Sequence, residues 1–427
     1  MPAETREVCR RSATVFGNRI RKRIVGTRLV SPIADHYSHT MKLLMLGYYG
    51  VLAAGIAFVT NWLALMPWRR VRGQHWTERA RLYFPVKAAA ATNFWAIPGT
   101  LTMASLLFWR EDSPPWFLIF FVSAIGTIAG TFPMDREVWP RISSRELIRQ
   151  AMATWVLRFS IWLVFLGAVA LMPEQFNWTV LILCSAVVAL CLFWNRSGWL
   201  RCGRMLGIFA PAPDRLQKIV DEMSARMNVP VRHTWLMRSP VAQAYALPQN
   251  RSLLFSERLL EILSDEELAA VCAHELGHLN ESPKEFYQRY IVYWLYLPWL
   301  IFKPLVHWVG MPGFFLLLAN TMAVPFLYRS IAHRLEKRAD EIAKNNELNE
   351  GAYARALLRL HEDSLLPAVV ARQHGTHPHL YDRLIAAGLT PDFPRPAAAA
   401  GTAWNGSLFS ILVGGLAAIL VIELTKR

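Results

Sequence analysis

Long stretches without charge constrain this chain more than any other feature of its sequence. A helix needs roughly 20 apolar residues to cross a bilayer, and several segments meet that length without one Asp, Glu, Lys or Arg. They are Leu43–Trp68, Ala88–Trp109, Ser113–Met134 and Gln175–Asn195. Because 54% of the residues are hydrophobic and 17 are tryptophan, the composition also favours a membrane protein over an ordinary soluble domain.

Further apolar segments bring the predicted total to about eight spans. Residues 151–172 are interrupted only by Arg158, which lies near one end and can extend its side chain to the headgroups. Two shorter apolar halves within residues 290–328 flank Gly310–Gly313 and predict a membrane hairpin, with buried core helices as the alternative. Thr402–Ile422 predicts a final span.

The net charge of +15 does not indicate a nucleic-acid partner, because the basic residues lie in loops beside the spans. The loops 69–87 and 135–149 and the segment after Arg196 are basic. Basic loops stay on the cytoplasmic side of a membrane. We therefore expect a multi-pass protein of the cell (inner) membrane, with its large polar segments facing the cytoplasm and the lipid bilayer as a partner.

The N-terminus does not fit this topology simply. Five spans before a cytoplasmic Arg196 place it outside, although residues 1–42 carry nine Arg and Lys. Either Leu43–Trp68 enters the membrane without crossing it, or a long N-terminal segment escapes the charge rule. Both alternatives remain open at the level of sequence.

The spans divide the chain into segments. They are a basic N-terminal segment 1–42, a membrane region 43–195 of about five spans, a polar segment 196–289, the hairpin 290–328, a second polar segment 329–401 and a C-terminal span 402–427. Each polar segment is too small for its own core, so we expect the two to form one domain split by the hairpin. The five cysteines are scattered and predict neither disulfides nor a thiolate metal site. Residues 1–41 lack the apolar region of a removable signal peptide.

The first polar segment alternates helical and strand-like patterns. The predicted elements are a helix Arg215–Met227, strands Val229–Met237 and Tyr245–Phe255, and a helix from Asp265 to about Asn280. The second strand region contains a turn at 248–250, which predicts a hairpin. We expect Asp214 to cap the first helix, whereas Ser264 and Glu267 have the spacing of a capping box for the last one.

That last helix carries His274-Glu275-Leu276-Gly277-His278. Two histidines four residues apart project from one helix face, so both imidazoles can reach one zinc ion at about 2.0 to 2.1 Å. Glu275 can face a zinc-bound water, take its proton and later pass that proton to a leaving amine. The motif predicts one Zn²⁺ per chain and hydrolysis of peptide bonds. The alternative is a helix whose histidines only face solvent.

A catalytic zinc site generally uses three protein ligands, so a third must be found. The helical segment Arg329–Lys344 carries Glu336 and Asp340 on one face. Glu336 can be the third ligand, and Asp340 can accept a hydrogen bond from the far nitrogen of a ligand histidine. Alternatively, these acids form an ordinary solvated face. The rival third ligands are His333, His361, His374, His377 and His379.

These motifs together resemble a known family. The matching pieces are Ala244–Pro248, His274–His278, Glu336–Asp340, and Thr376–Pro378 with Arg383. Their order, with a membrane hairpin between them, is similar to that of the membrane-bound zinc endopeptidases that include the HtpX heat-shock proteases and the CAAX prenyl-proteases. The resemblance spans residues 214–384. It implies a mostly α-helical, multi-spanning membrane protein with a small α+β zincin-like catalytic domain split by the hairpin.

The resemblance also implies roles for individual residues. Glu275 would be the general base, Glu336 would complete the zinc site and Asp340 would support a ligand histidine. His377 and Arg383 would either stabilise the developing oxyanion or hold the region of Glu336.

In the resembling proteases, the strand before the catalytic helix pairs with the substrate backbone. That role would fall here to Tyr245, Ala246 and Leu247. Gln243 stands where the family usually has Asn, so a side-chain contact at this position is in doubt. The span count before the catalytic helix is closer to the CAAX proteases and the final span fits neither group, so no substrate is carried over.

The sequence therefore predicts an integral-membrane zinc metalloendopeptidase that acts at the cytoplasmic membrane surface on peptides or membrane proteins. The alternative is a non-catalytic zinc-binding scaffold or receptor derived from such a protease, although a structural zinc site has no need of Glu275. A transporter-like channel is a third hypothesis, but the spans carry little charge beyond Arg158, whereas transport pathways usually contain ionisable groups. The sequence leaves the oligomeric state open.

Overall fold

A computed structural model of the chain describes residues 32–108, 116–154, 156–157, 160–371, 378–400, 412 and 415–416. Several features predicted from the sequence lie outside these described residues. They are residues 1–31 of the basic N-terminal segment, Arg158, the histidines His374 and His377, and nearly all of the final span Thr402–Ile422.

Three long helices form the N-terminal part of the described chain: α1 (Pro32–Arg69), α2 (Trp76–Phe108) and α3 (Trp116–Val138). Helices α1 and α3 approach each other at backbone contact. A Cβ atom on Gly126 would overlap the backbone oxygen of Gly50, and one on Gly130 would overlap that of Ala54. Small residues allow this approach, which is typical of helices packed within membranes.

The expected span 151–172 falls on two described helices and on the π-helical residues 156–157 between them, whereas residues 155, 158 and 159 lie outside the described residues. It corresponds to the end of α4 (Ser144–Thr154) and to α5 (Ser160–Leu171). Helix α5 alone has 12 residues and a length of about 18 Å, so a crossing of the hydrocarbon layer of about 30 Å needs the residues before it as well. Helix α4 begins with charged residues, so its side chains suit the membrane surface better than the bilayer interior.

The next apolar helix is α6 (Trp178–Phe193), which continues through one π-helical turn (Trp194–Gly198) into α7 (Trp199–Met205). Its start is fixed by Asn177, whose side chain accepts a hydrogen bond from the backbone N–H of Val180 at 3.2 Å.

Four helices of the described chain are long and apolar enough to span a membrane: Lys42–Arg69, Trp116–Val138, Trp178–Met205 and Met311–Asn345. Three of them overlap expected spans in the first half of the chain, and the fourth contains the second half of the expected hairpin. The expected span Ala88–Trp109 falls in α2, which packs with α1 and α3 but is not among the four.

A small sheet and two principal helices follow. The elements are β1 (Phe209–Pro211), α8 (Asp214–Met227), β2 (His233–Met237), β3 (Ala244–Leu247), β4 (Ser252–Ser256), α9 (Glu257–Ile262) and α10 (Asp265–Leu279). The strand order is β1-β2-β4-β3, with β2 parallel to β4 and the other pairs antiparallel. The predicted hairpin is confirmed as β3 and β4, joined by a turn at Pro248–Asn250.

Two local predictions were wrong. Helix α8 begins after Pro213, which occupies the capping position without a side-chain bond, so Asp214 is the first helical residue rather than the cap. Strand β2, which was predicted to begin at Val229, begins at His233. Val229 still belongs to the turn that closes α8, because its N–H donates to the carbonyl of Ser224. The short strand β1 was not predicted.

The expected hairpin region is asymmetric. Its first half consists of α11 (Pro283–Trp294), a 3₁₀ turn (Leu297–Ile301) and α12 (Phe302–Val309). The chain reverses at Gly310, which has a φ of 70°. Its second half runs without a break into the helix expected over 329–344, forming α13 (Met311–Asn345) of 35 residues. Helices α14 (Ala352–Asp363) and α15 (Leu380–Ala386) complete the described fold.

Both polar segments and the ends of the N-terminal helices contribute to one hydrophobic core. The core includes Leu65, Tyr83 and Met134 from α1, α2 and α3, Leu216, Phe255 and Leu268 from the first polar segment, and Tyr353, Leu357 and Leu384 from the second. The C-terminal end of α1 therefore packs on the polar region. Its N-terminal end lies about 57 Å further along the helix axis.

Candidate metal centre

The helix that carries the His274–His278 motif begins as the sequence predicts. Ser264 Oγ accepts a hydrogen bond from the N–H of Glu267 at 3.3 Å, and a Glu267 side-chain oxygen accepts one from the N–H of Ser264 at 3.0 Å. The capping box is thus confirmed. Every residue from Glu267 to His278 is buried, so α10 forms the centre of the polar region.

A close approach of α10 and α13 places the third candidate ligand. Gly277 faces α13, where an added Cβ atom would lie 3.3 Å from the Ile342 side chain and 3.4 Å from the Cα of Ala339. Ala339 and Ala343 are buried, as expected for residues that permit close packing. Because Gly277 and Ala339 are small where the two helices meet, Glu336 comes within reach of the two histidines.

Three potential ligands converge at this contact. Nε2 of His274 lies 3.4 Å from one carboxylate oxygen of Glu336, and Nε2 of His278 lies 3.6 Å from the other. One potential ligand atom from each of the three residues lies within 4.8 Å of the others. Two imidazoles and one carboxylate form a donor set that suits catalytic zinc.

The far nitrogen of His274 faces two oxygen atoms. Its Nδ1 lies 2.9 Å from Oη of Tyr353 and 3.2 Å from Oδ1 of Asp340. Tyr353 donates its hydroxyl proton to Asp340 at 2.6 Å, so Nδ1 of His274 must be the donor toward Tyr353. This assignment leaves the Nε2 lone pair of His274 available for a metal.

His278 has an analogous partner that the sequence reasoning missed. Its Nδ1 lies 3.0 Å from a carboxylate oxygen of Glu281. The carboxylate accepts the Nδ1 proton, so the Nε2 lone pair of His278 also points to the shared centre. Glu281 follows His278 by three residues, just past the end of α10, and this spacing was the sequence signal that could have identified it.

Arg383 holds Asp340 through two hydrogen bonds. Its Nε lies 2.8 Å from Oδ2 and its Nη2 lies 2.7 Å from Oδ1. Nη2 also donates to Oη of Tyr353 at 3.0 Å. Of the two roles expected for Arg383, these contacts favour holding the region of Glu336, since Asp340 is one helical turn beyond that residue.

Carboxylates dominate the electrostatics of this centre. Burial alone would lower the pKa of His278, but Glu281 and Glu336 outweigh it and raise that pKa to about 10. Asp340 and Glu336 likewise outweigh burial and raise the pKa of His274. Glu275 follows His274 on the same buried helix and is 8% exposed. The excess of negative charge is one that a divalent cation can balance.

The rival histidines do not join the described group. His361 Nδ1 lies 3.4 Å from the carbonyl oxygen of Leu366, and His379 Nδ1 accepts a hydrogen bond from the N–H of Val370 at 3.3 Å. His333 lies on α13 but outside the cluster of ligands. Among the described residues, Glu336 is thus the candidate for the third ligand; His374 and His377 lie outside them. Burial raises the pKa of the nearby Cys272 thiol, which disfavours a thiolate ligand.

The expected substrate strand is an edge of the sheet. β3 pairs with β4 on one side, and it is last in the strand order. Tyr245 is exposed, Ala246 is half-buried and Leu247 is buried. Gln243, just before the strand, receives a hydrogen bond on its carbonyl from the N–H of Ser256. Its side chain contacts Ser239 and the hydroxyl of Tyr245.

Comparison with known proteins identifies similar sequences around this centre. Residues 212–388 match the family described as peptidase family M48. A protein named protease HtpX homolog from Arthrobacter sp. (strain FB24) is 30% identical over 127 residues, which cover 28% of this chain and 44% of that protein.

Two cyanobacterial proteins with the same name are similar over a shorter region. The protein of Trichormus variabilis is 35% identical over 68 residues, which cover 15% of this chain and 24% of the relative. The protein of Nostoc punctiforme is 36% identical over 67 residues, which cover 15% of this chain and 23% of the relative. The similarity therefore spans less than half the length of these relatives.

Proposed function

We propose that this chain, whose residues 212–388 belong to peptidase family M48, is an integral-membrane zinc metalloendopeptidase. The observation that carries the proposal is the convergence of His274, His278 and Glu336 around one point in a buried, carboxylate-rich site. Glu275 lies next to one of these ligands in sequence and on the same buried helix. A purely structural zinc site has no need of an acidic residue at the position of Glu275.

In this proposal, His274, His278 and Glu336 hold one zinc ion per chain. When bound, the ion would supply a Lewis acid that acidifies a water molecule and polarises the scissile carbonyl. Glu275 takes the proton of the attacking water and transfers it to the leaving amine. Tyr353, whose hydroxyl donates to Asp340, keeps the His274 imidazole in the tautomer that presents Nε2, and Glu281 does the same for His278. Arg383 positions Asp340, and His377 is proposed to stabilise the developing oxyanion.

The free edge of β3 is the proposed binding site for the substrate backbone. Along an antiparallel strand, the backbone N–H and C=O groups of successive residues point alternately toward the partner strand and away from it. Because the backbone carbonyl of Gln243 bonds to β4, the backbone groups of Tyr245 and Leu247 also point toward β4. The N–H and C=O groups of Ala244 and Ala246 are then directed outward. An extended peptide added at this edge would bond chiefly to Ala246, flanked by Tyr245 and Leu247.

The proposed place of action is the cytoplasmic surface of the cell membrane, and the proposed substrates are peptides or membrane proteins. Glu336 lies eight residues after Tyr328 on α13, or about 12 Å beyond the apolar part of that helix. The C-terminal ends of α1 and α3 pack on the polar region. The loops that follow these two helices, with their basic residues, therefore lie on the same side as the polar region. Such loops are retained in the cytoplasm.

The test compares the purified full-length parent with Glu275→Gln and Glu336→Ala for zinc content and for cleavage of casein. We expect one zinc per chain in the parent, loss of cleavage with retained zinc in Glu275→Gln, and loss of both in Glu336→Ala. Glu341→Ala is the matched control, since Glu341 is an exposed acid on the same helix. Full cleavage by Glu275→Gln would refute the mechanism. Zinc bound without cleavage by the parent would instead favour a non-catalytic scaffold.

A further inference from the structure

A group of arginines lies where the Trp178–Met205 helix leaves its apolar stretch. The helix has no charged residue from Trp178 to Asn195, a length of about 27 Å that matches the hydrocarbon layer. Arg196, Arg201 and Arg204 follow immediately. If the apolar part spans the bilayer, Arg196 lies at the depth of the lipid headgroups. Arg201 and Arg204 lie about 8 and 12 Å further along the helix axis and can reach the headgroups through their long side chains.

The same arginines line a cavity between the helix end and the sheet. Its volume is about 250 Å³, and its walls include Arg196, Arg201, Arg204 and Arg232, with Trp235 of β2 beside them. The guanidinium of Arg204 lies 4.9 Å from the centre of the Trp235 ring. Stacking on an aromatic ring restricts the orientation of that guanidinium before any ligand binds.

No residue lining this cavity is acidic. Within the described part of the chain, none of the four arginines has a carboxylate within 4.0 Å, although many other arginines of the protein do. Four positive charges that share a small concave space repel one another unless an anion is present. One guanidinium group can donate two parallel hydrogen bonds to two oxygens of a phosphate. A phosphate group therefore suits the cavity in both charge and geometry.

We propose that this cavity binds the phosphate headgroup of an anionic phospholipid. A lipid rather than a soluble anion is favoured by the surface that leads into the cavity. Only 11% of the apolar part of Trp178–Met205 is buried against the rest of the described protein. Acyl chains can therefore lie along α6 while the headgroup enters the cavity. Negatively charged lipids attract such basic segments next to a span.

The position of the cavity gives the lipid a structural role. Its walls also include Gln249 and Asn250 of the turn between β3 and β4. A headgroup held between this turn and the end of α6 would join the sheet to the membrane surface. The lipid would thus fix the orientation of the β3 edge relative to the bilayer, whether or not the proposed peptidase activity exists.

The test measures lipid binding by the purified full-length protein in detergent, using native mass spectrometry and titration with phosphatidylglycerol or phosphatidylcholine. The variant is Arg196→Gln combined with Arg232→Gln, since neither side chain has a described hydrogen bond or ion pair. Each arginine near a lipid surface contributes roughly fivefold, so the pair should weaken phosphatidylglycerol binding by about 30-fold. Binding of phosphatidylcholine should not change.

The control removes the same charge elsewhere, through Lys218→Gln combined with Arg226→Gln on the exposed surface of α8. An equal loss of phosphatidylglycerol in this control, or none in the cavity variant, would overturn the proposal. Competition by inorganic phosphate at equal concentration would assign the cavity to a soluble anion instead. If the cavity variant does not fold, the parent protein still tests the proposal. Equal affinity of the parent for phosphatidylglycerol and phosphatidylcholine would refute it.

Discussion

Tyr353 and His274 lie in contact at the buried centre, with Oη of Tyr353 2.9 Å from Nδ1 of His274. Their rings are nearly parallel, with an interplanar angle of 20° and centroids 5.8 Å apart. Tyr353 belongs to α14, which follows both ligand helices in the chain. Helix α14 thus sets the orientation of an imidazole that α10 carries.

Tyr353→Phe tests this relationship, because the substitution keeps the ring and removes only the hydroxyl. The His274 imidazole would lose its closest Nδ1 partner, and Asp340 would lose a donor. Loss of such a supporting group typically weakens metal binding by 10- to 100-fold. We expect a loss of this size in zinc affinity, measured by competition with a chelator. Tyr381→Phe on α15 is the control, and equal zinc affinity in the two variants would contradict the role of Tyr353.

The candidate ligands could be predicted from the sequence because residue spacing along a helix determines which side chains share a face. The spacing of His274 and His278 places both on one face, and Ser264 with Glu267 fixes where that helix begins. Glu336 and Asp340 carry the same information for α13. Their convergence depends on Gly277 and Ala339, whose small size indicates close packing but does not specify the partner helix.

The supporting residues could not be predicted in the same way. Tyr353 is 79 residues from His274, and nothing in the sequence near either residue indicates the contact. The continuity of α13 was also missed, because its apolar and charged halves read as separate elements.

A second prediction concerns pH and Asp363, which connects the loop after α3 to the polar region. Its carboxylate accepts hydrogen bonds from Arg141 at 2.9 Å and from Arg258 at 2.7 Å. Burial opposes ionisation, but the two arginines prevail and lower the pKa of Asp363. Since the folded pKa lies below the unfolded one, ionised Asp363 stabilises the protein above about pH 4. That stabilisation is lost as the pH falls through the folded value.

Asp363→Asn should therefore destabilise the protein at pH 7 by about 1 kcal/mol, allowing for the partial exposure of both arginines. Thermal unfolding in detergent between pH 7 and pH 3 measures the effect. The difference from the parent should shrink as the solution becomes acidic. Asp221→Asn, on the exposed side of α8, should show little change at any pH. A difference for Asp363→Asn that does not vary with pH would contradict the assigned pKa.

A third prediction concerns the packing of α1 against α3. Gly130→Leu would place a side chain where the backbone of Ala54 now lies, so the helices would have to separate. Overpacking of this kind costs about 1 to 3 kcal/mol. We expect a lower thermal midpoint in detergent. Gly167→Leu on α5 is the matched control, because an added Cβ there meets nothing within 4 Å. Equal midpoints for the two variants would mean that α1 and α3 are not in this contact.

The last prediction separates the free edge of β3 from its paired side. Ala246→Pro removes one backbone N–H, and proline is tolerated on an edge strand where that N–H faces outward. The variant should keep its pairing with β4 and its zinc content, but lose one hydrogen bond to the substrate backbone. A net loss of 0.5 to 1.5 kcal/mol per hydrogen bond corresponds to a roughly 2- to 12-fold lower kcat/KM.

Ala246→Ser is the control for that variant, since it changes the side chain slightly and keeps the N–H. If Ala246 faces the substrate, only the proline variant should lose kcat/KM for a peptide substrate, while the thermal midpoints of both stay near that of the parent. If Ala246 instead faces β4, the proline would break the sheet, and its thermal midpoint would fall together with its activity. Equal kcat/KM for the two variants with both folded would show that the substrate does not bind at this edge, because a lost donor there must weaken a strand-like complex.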